Sequence, residues 1–522
     1  MAILQAVLGL MAACILLALL ARALRLPYAV VLILAGMALA FAPGVPRIAL
    51  DPELALAFFL PPLLMGSAYR TDWQAFRRNL RPILLLAVGC VVFTAFALGA
   101  VARLLVPDLP WAAALALGAI LAPPDAVAAA AVLQRLNLPR RIVTVLEGES
   151  LVNDASALVL YRLAIVAATA GSLSPAAAVG SFLLLGGGGI LVGYAVARFT
   201  GWALRQLEDT LLETALSFLA AFASFLLAEE LGLSGVMATV TCGIWLGRAA
   251  HRVYSARTRL EARAVWDFVE FALTSLVFIL IGLQVNAILS DLQGRGTFEL
   301  AGLALAISLA LIALRFLWVF PAALLARLLP AFWRDQPDLP WQQVFVLGWS
   351  GMRGVVSLAV ALALPIGFPE RDLLVFLAFC AILATLVVQG TTLEWVIRRL
   401  RLTVPPPPDG LAPEEATARQ LAAQARLRTI EERLRDELYG AIAADLLPEY
   451  RDRHAHLERV RRGGGAARAE RAARRALRLE ALEAARVVLR QRHDDGELPE
   501  EFLVKLNEEL DLEEGRVKRA LG

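Results

Sequence analysis

The sequence predicts an all-α membrane protein with about thirteen transmembrane helices and a cytoplasmic helical tail. Of its 522 residues, 59% are hydrophobic, and the mean hydropathy is +0.66; a soluble globular chain is closer to half apolar. Apolar runs of about 20 residues, the length that crosses a bilayer, recur over residues 1–402. By contrast, residues 409–519 contain 22 Lys or Arg and 24 Asp or Glu.

Thirteen apolar stretches are long enough to be membrane spans. Several exceed the minimum length and must tilt or project into water. We place the spans near residues 3–20, 28–43, 52–69, 82–105, 111–134, 142–168, 175–200, 211–230, 233–249, 262–288, 299–328, 341–367 and 371–397.

Arginines in alternate loops predict the orientation, because cytoplasmic loops are enriched in basic residues. Arg22 and Arg25 follow the first span, and each second loop after it is again rich in arginine. The intervening loops contain only Arg47, Arg103, Arg295 and Arg371. The pattern predicts a multi-pass protein with its N-terminus outside and its tail in the cytoplasm; the family resemblance described below implies the bacterial inner membrane. No basic residue precedes the first apolar run, which favours a spanning helix over a cleaved signal.

Composition divides the chain into a membrane domain (1–402), a proline-rich linker (403–416) and a cytoplasmic helical tail (417–522). The linker contains the stretch VPPPPDGLAPEEA, which favours a stiff extended backbone. Basic and acidic residues nearly balance in the tail, and the net charge of the chain is only +3. This balance gives no reason to expect a nucleic-acid partner.

Two of the predicted spans are interrupted. In the fifth span, Pro123 and Pro124 remove two backbone donors just before Asp125. In the twelfth, Gly348, Gly351 and Gly354 surround Arg353. The two spans are seven apart, as expected for two inverted repeats, and paired broken helices indicate a transporter's binding site near the membrane midplane. The alternative is kinked but ordinary helices with closely packed glycines.

Ionisable side chains at bilayer depth are costly and usually face a bundle interior or a water-filled path. No histidine is among them, which removes the usual ligand of a zinc site, and no nucleotide-binding loop of the Walker type occurs. This argues against an ATP-driven pump. The deep set is Asp125, Glu147, Glu149, Asp154, Arg162, Asp267, Glu270, Arg315 and Arg353.

The stretch VLEGESLVNDASALVLY (145–161) contains three of these acids. Helical spacing places Glu147, Ser150 and Asp154 on one face, and Glu149 and Asn153 on the neighbouring one. Hard oxygen ligands suit alkali cations, and a desolvated carboxylate binds either a cation or a proton. Such competition couples two opposite fluxes. The alternative is that Arg315, Arg353 and Arg162 neutralise these acids as ion pairs.

The same stretch resembles the Gly-Glu-Ser-Leu-x-Asn-Asp motif of sodium/proton exchangers, the NhaP type of monovalent cation:proton antiporter. Three further segments are similar to that family in the expected order: FFLPPLLMGSAYRTD (58–72), WDFVEFALTSLVFILIGLQV (266–285) and GWSGMRGVVSLAVALALP (348–365). The resemblance covers roughly residues 1–400. It implies an NhaA/NhaP-like fold and a secondary transporter rather than an enzyme, with no cofactor besides the transported Na⁺ and H⁺.

The resemblance also implies roles for individual residues. Asp154 corresponds to the carboxylate that exchanges cation for proton, and Ser150 to a hydroxyl ligand. Asp125 matches an aspartate at the unwound crossing, where the backbone carbonyl of Pro124 faces the ion. The sequence departs from the family there, because Pro124 replaces a threonine and Ala126 a proline. The implied Na⁺ ligands are thus Asp154, Asp125, Ser150 and a main-chain carbonyl, without the threonine hydroxyl.

Five more residues are expected to support this site. Glu149 matches a glutamate that pairs with an arginine, with Arg315 as first choice and Arg353 as second. Asn153 cannot bind a proton, and members with Asn-Asp here tend to be electroneutral, which implies one cation per proton. Glu147 lies on the same helix face as Ser150 and Asp154, and the alternatives for its partner are the ion, water and an arginine.

For the whole protein, the resemblance implies Na⁺/H⁺ exchange in pH homeostasis, with Li⁺ as a further substrate. Family members form homodimers in membrane lipid and move a six-helix core like an elevator, here residues 82–168 and 299–397. A K⁺/H⁺ antiporter is the alternative within transport. A membrane sensor of pH or cations that signals through its tail is the alternative from another class.

Overall fold

The computed structural model is all-helical over the residues that it describes, and the predicted all-α class is confirmed there. The described residues are 2–24, 26–42, 52–125, 129, 133, 136, 138–170, 175–290, 292, 296–328, 339–403, 413–462 and 465–519. The chain divides into two compact units, Met1–Val404 and Pro405–Gly522.

The first unit contains the apolar helices. Helix α5 is continuous and has a π-helical stretch at Leu85–Cys90. The helices are α1 (Ala2–Leu24), α2 (Tyr28–Ala40), α3 (Pro52–Arg70), α4 (Trp73–Arg78), α5 (Leu80–Leu105), α6 (Trp111–Leu121), α7 (Arg140–Ala170), α8 (Pro175–Leu204), α9 (Thr210–Glu230), α10 (Gly235–Val253), α11 (Ala256–Leu283), α12 (Val285–Ser290), α13 (Thr297–Leu328), α14 (Trp341–Trp349), α15 (Val355–Leu362) and α16 (Arg371–Arg399).

Among the described residues, seven helices are long and apolar enough to cross a membrane: α5, α7, α8, α9, α11 with its extension α12, α13 and α16. Four shorter apolar helices are Gly9–Leu24, Tyr28–Ala40, Leu54–Arg70 and Trp111–Leu121. The chain is therefore a multi-pass membrane protein, and the total of thirteen spans stays a prediction. Nearly every predicted span coincides with an observed helix to within a few residues.

Both predicted interruptions are confirmed. Helix α6 ends at Leu121, and residues 122–125 are not helical. Helices α14 and α15 are separated by the non-helical residues 350–354. Ala126 and most of the second half of the fifth span lie outside the described residues.

Glycines let several helices of the first unit approach closely. A Cβ atom on Gly36 of α2 would overlap the carbonyl oxygen of Ile279 on α11, and one on Gly282 would overlap that of Ile33. The same contact joins α5 and α6, where a Cβ on Gly118 would overlap the carbonyl oxygen of Ala95. Close backbone approach of this kind is typical of helices packed in a membrane.

In the part of the second unit that the structure describes, there are four mostly polar helices, α17 (Pro413–Arg433), α18 (Gly440–Arg462), α19 (Gly465–Asp494) and α20 (Glu500–Arg519). Asp436 lies in the turn between α17 and α18. A hydrogen bond from Arg433 and the N–H groups of Leu438 and Tyr439 lower the pKa of its carboxyl group. On α19, Arg486 binds Asp511 and Glu514 of α20, both at 2.5 Å.

Candidate functional site

Helix α7 presents two polar faces to different surroundings. Glu147, Ser150 and Asp154 line a cavity of about 650 Å³, as their helical spacing predicts. Glu149 and Asn153, on the neighbouring face, are buried. Asp154 is 8% exposed, so its carboxylate meets solvent only through this cavity.

The two broken spans meet beside Asp154. The backbone N–H of Asp125 donates a hydrogen bond of 2.7 Å to the carbonyl oxygen of Met352. Asp125 and Gly354 both line the cavity, and the carboxylates of Asp125 and Asp154 interact electrostatically. Each interrupted helix leaves backbone groups that lipid cannot satisfy, and this bond satisfies one from each.

Asn153 fixes the first break from the side of α7. Its Nδ2 donates a hydrogen bond of 2.7 Å to the carbonyl oxygen of Pro124. A carbonyl oxygen has two lone pairs, so that of Pro124 retains one for an ion. The Asn153 Oδ1 atom is buried and has no hydrogen-bond partner among the described residues. Asn153 therefore positions the crossing segment.

Glu149 pairs with Arg315, the first of the two arginines considered. The pair is bidentate, with Nη1–Oε1 at 2.7 Å and Nη2–Oε2 at 2.9 Å, and the side chains are 1% and 2% exposed. Arg315 also donates from Nε and Nη2 to the carbonyl oxygen of Leu347, at 3.1 and 2.9 Å. The ion pair joins α7 to α13, and the hydrogen bonds from Arg315 to Leu347 connect both helices to the end of α14.

Arg353 is buried in the second break and makes a different set of contacts. Its Nη1 donates to the carbonyl oxygen of Gly351 at 3.0 Å, and its backbone N–H donates to Thr385 Oγ1 at 3.1 Å. Its Nε atom has no hydrogen-bond partner among the described residues. Arg353 therefore places a positive charge at the crossing without pairing with Glu149.

With all of them ionised, the charged residues that the structure describes at the crossing have a net charge of −1. Asp125, Glu149 and Asp154 provide three carboxylates, and Arg315 and Arg353 provide two guanidinium groups. Buried charge is stable only when it is compensated. One monovalent cation or one proton completes the compensation, which suits a site that binds either of them in turn.

Arg162, the third arginine considered as a partner of these acids, lies outside the crossing. It pairs with Glu229 of α9 at 2.5 Å, and Glu229 also accepts a hydrogen bond from the backbone N–H of Gly235. Arg162 lies two turns beyond Asp154 on α7, too far along the helix to reach Glu147 or Glu149. The proposed neutralisation by Arg162 is therefore wrong.

Several cavity residues escaped sequence reasoning. Tyr28 and Thr274 line the cavity, and the buried Thr274 hydroxyl has no partner among the described residues. Arg70, which we expected in a cytoplasmic loop, also lines it and binds Glu270 at 2.6 Å. We expected Asp267 and Glu270 at bilayer depth, but the Asp267 side chain is 60% exposed. Spacing along the sequence could not identify a partner of Glu270 that lies 200 positions away.

Replacing Gly354 with alanine is expected to reduce transport by about 10- to 100-fold, because the added Cβ would overlap the Asp125 carboxylate and small misplacements of a reacting group are that costly. The extended backbone of Gly354 (φ −138°, ψ −151°) is also accessible to alanine. The substitution therefore tests the overlap of the added Cβ with Asp125 and not backbone strain. Gly187→Ala on α8 is the control, since no atom lies within 4 Å of its added Cβ. Equal activity of the two variants would contradict the crossing geometry.

The sequence of the chain is similar to those of sodium/hydrogen exchangers. A family model described as sodium/hydrogen exchanger, transmembrane, matches residues 9–399. An uncharacterised Na⁺/H⁺ exchanger of Mycobacterium tuberculosis is 37% identical over 438 residues, which are 81% of this chain and 79% of that protein. The Na⁺/H⁺ antiporter ApNhaP of Aphanothece halophytica is 34% identical, over 72% of this chain and 70% of the relative.

Two further proteins add detail. A Bacillus subtilis antiporter of sodium, potassium, lithium and rubidium against protons is 32% identical over 487 residues, 88% of this chain and 70% of that protein. The solved structure of the sodium proton antiporter MjNhaP1 from Methanocaldococcus jannaschii has a TM-score of 0.59 at 20% identity and covers 77% of this chain and 99% of its own. That likeness concerns the fold.

Proposed function

Because the chain belongs to the sodium/hydrogen exchanger family, we propose that it is a secondary active antiporter that exchanges Na⁺, and also Li⁺, for H⁺ across the bacterial plasma membrane. The family match spans residues 9–399, and relatives at 34 and 33% identity are named Na⁺/H⁺ antiporters. In this role the cation and the proton are cargo.

The observation that supports this proposal most directly is the net charge of −1 that the five described charged residues at the crossing carry together when all are ionised. Na⁺ binds to the carboxylates of Asp154 and Asp125, the hydroxyl of Ser150 and the free lone pair of the Pro124 carbonyl. A proton on Asp154 supplies the same charge, so the two cargoes exclude each other there. Mutually exclusive occupancy at one carboxylate is sufficient to couple their movements.

The exchange is electroneutral, with one Na⁺ for one H⁺. Asn153 occupies the position next to Asp154, and its amide hydrogen-bonds to Pro124 at 2.7 Å. An amide side chain does not bind a second proton within the cycle. The ion pair of Glu149 with Arg315 stays intact in both loaded states, because neither partner faces the cavity.

Alternating access follows from movement of the core helices α5–α7 and α13–α16 against the remaining helices of the first unit. Arg70 and Arg263 line the cavity near the C-terminal end of α3 and the N-terminal part of α11. Those ends adjoin the arginine-rich loops, so the cavity opens to the cytoplasm by the positive-inside rule. Two copies form a homodimer in the lipid, with the N-terminus outside and the tail in the cytoplasm.

K⁺/H⁺ exchange is the second candidate. The Bacillus subtilis relative is named for sodium, potassium, lithium and rubidium, and oxygen ligands bind each of these ions. Selectivity among them depends on ligand number and cavity size. The same binding site would serve both candidates.

Purified full-length protein in liposomes with an internal pH-sensitive dye tests the function. Adding Na⁺ or Li⁺ outside acid-loaded liposomes is expected to dissipate the pH gradient, with the same rate whether or not an ionophore clamps the membrane potential. A larger response to K⁺ than to Na⁺ would favour the second candidate. Exchange that builds a membrane potential would contradict the 1:1 stoichiometry, and no response to any of the three ions would contradict antiport.

A further inference from the structure

The cavity is lined by more charged groups than the exchange site uses. Five carboxylates face it, and two of them, Asp125 and Asp154, belong to the crossing. Two arginines are the only basic residues among the described lining residues. The charged lining residues are Arg70, Asp125, Glu147, Asp154, Arg263, Asp267 and Glu270.

Arg70, the last residue of α3, lies among the three acids that the crossing does not use. Its Nη2 binds Glu270 Oε2 at 2.6 Å, and its Nη1 lies 3.8 Å from Asp267 Oδ1. Glu147 of α7 lines the same cavity. The Arg70 side chain is 35% exposed, so the ion pairs stand at the mouth of the cavity.

The guanidinium of Arg70 folds back along its own helix, α3. Gly66 lies one turn before Arg70, and a Cβ atom there would lie 3.7 Å from Arg70 Nη1 and 3.8 Å from Glu270 Oε2. The ion pair thus lies back along the glycine face of its own helix. From there the guanidinium reaches Asp267 and Glu270, the two acids on α11.

A guanidinium at the mouth competes with an alkali cation for the same carboxylates. Clefts lined by one sign of charge concentrate counter-ions from solution, and the five acids against two arginines give this cavity a net negative charge. Each positive group fixed at the mouth weakens that attraction. Because Arg70 is part of the chain, its guanidinium stays beside these carboxylates even when the cation concentration in solution is low.

We propose that Arg70 is an affinity-determining residue of the antiporter: by neutralising Glu270 and lying beside Asp267 at the cavity mouth, it raises the cation concentration required for half-maximal exchange. This rests on the proposed function.

Arg70→Gln is expected to lower the apparent KM for Na⁺ by about three- to tenfold without raising kcat, since it removes one positive charge from the path. Arg70→Lys retains the charge and should keep a KM near that of the unmodified protein. Glu147→Gln should raise KM, and the double variant should return it toward the original value. Salt screens such effects, so the difference in KM should shrink as choline chloride is added.

Arg398→Gln is the matched control, because it removes the same charge from α16 outside the cavity, where Arg398 pairs with Glu394 and is 64% exposed. Its KM should not change. All variants are measured by dye response in liposomes. An unmodified protein that responds to Na⁺, together with an Arg70→Gln variant whose KM is unchanged or higher, overturns the role of Arg70 alone. An unmodified protein without cation response overturns the proposed function and this inference with it.

Discussion

Asp154→Asn is expected to abolish cation-dependent proton movement while the protein still folds. The substitution keeps the shape of the side chain and removes the charge that Na⁺ and H⁺ compete for. Because a buried carboxylate is costly in itself, the neutral amide should leave the resistance to unfolding unchanged or higher. The dye assay in liposomes measures the loss, and size-exclusion chromatography in detergent checks the fold.

A binding measurement separates lost binding from lost movement. A ligand that binds only the folded state stabilises it in proportion to the logarithm of its concentration, so Na⁺ should raise the unfolding temperature of the unmodified protein and not that of Asp154→Asn. The uncharged amide should also remove the pH dependence of that stabilisation. Exchange at the unmodified rate by Asp154→Asn would exclude Asp154 as the exchanging residue.

Local chemistry made much of this site predictable. The two breaks follow from Pro123 and Pro124 in one span and from glycines in the other, and both occur in the structure. The division of α7 into a cavity face and a buried face follows from the helical repeat alone. The pairing of Glu149 with Arg315 came from a resemblance, and the structure contains that pair.

The sequence did not predict which charged side chains form ion pairs between distant helices. Arg70 and Glu270 are 200 positions apart, and nothing in either segment specifies which of several arginines meets which acid. For Arg162, proximity along α7 suggested the acids of its own helix, but its side chain projects toward Glu229 of α9. The choice of partner depends on how helices pack, and most side chains on these helices are apolar and compatible with several arrangements.

The role of Arg353 shows a second limit. A buried arginine predicts a carboxylate partner, because unpaired buried charge is expensive. The guanidinium instead donates a hydrogen bond to the backbone carbonyl oxygen of Gly351. An unwound segment exposes carbonyl groups that a regular helix would occupy, and these take the place of the carboxylate. Sequence patterns identify where the backbone is broken but not which side chain the free carbonyl groups will bind.

Breaking the ion pair of Glu149 and Arg315 is expected to give the largest loss of stability. Glu149→Gln or Arg315→Met leaves one charge buried without its partner, which costs about 3–5 kcal/mol. The bidentate geometry, at 2.7 and 2.9 Å, and exposures of 1% and 2% place the pair in that class. Equilibrium unfolding in mixed micelles measures the change in free energy of unfolding. Arg315→Met should cost more, because it also removes both hydrogen bonds to Leu347.

The double variant Glu149→Gln/Arg315→Met distinguishes pairing from a general packing defect. If the charges depend on each other, the double variant should lose less than the two single losses added together, with a coupling free energy of about 2 kcal/mol or more. Glu394 and Arg398 on α16 form the matched control, an exposed pair one turn apart that should contribute about 0.5 kcal/mol or less. Additive losses at residues 149 and 315 would mean that the two charges act separately, and the crossing would then need another source of compensation.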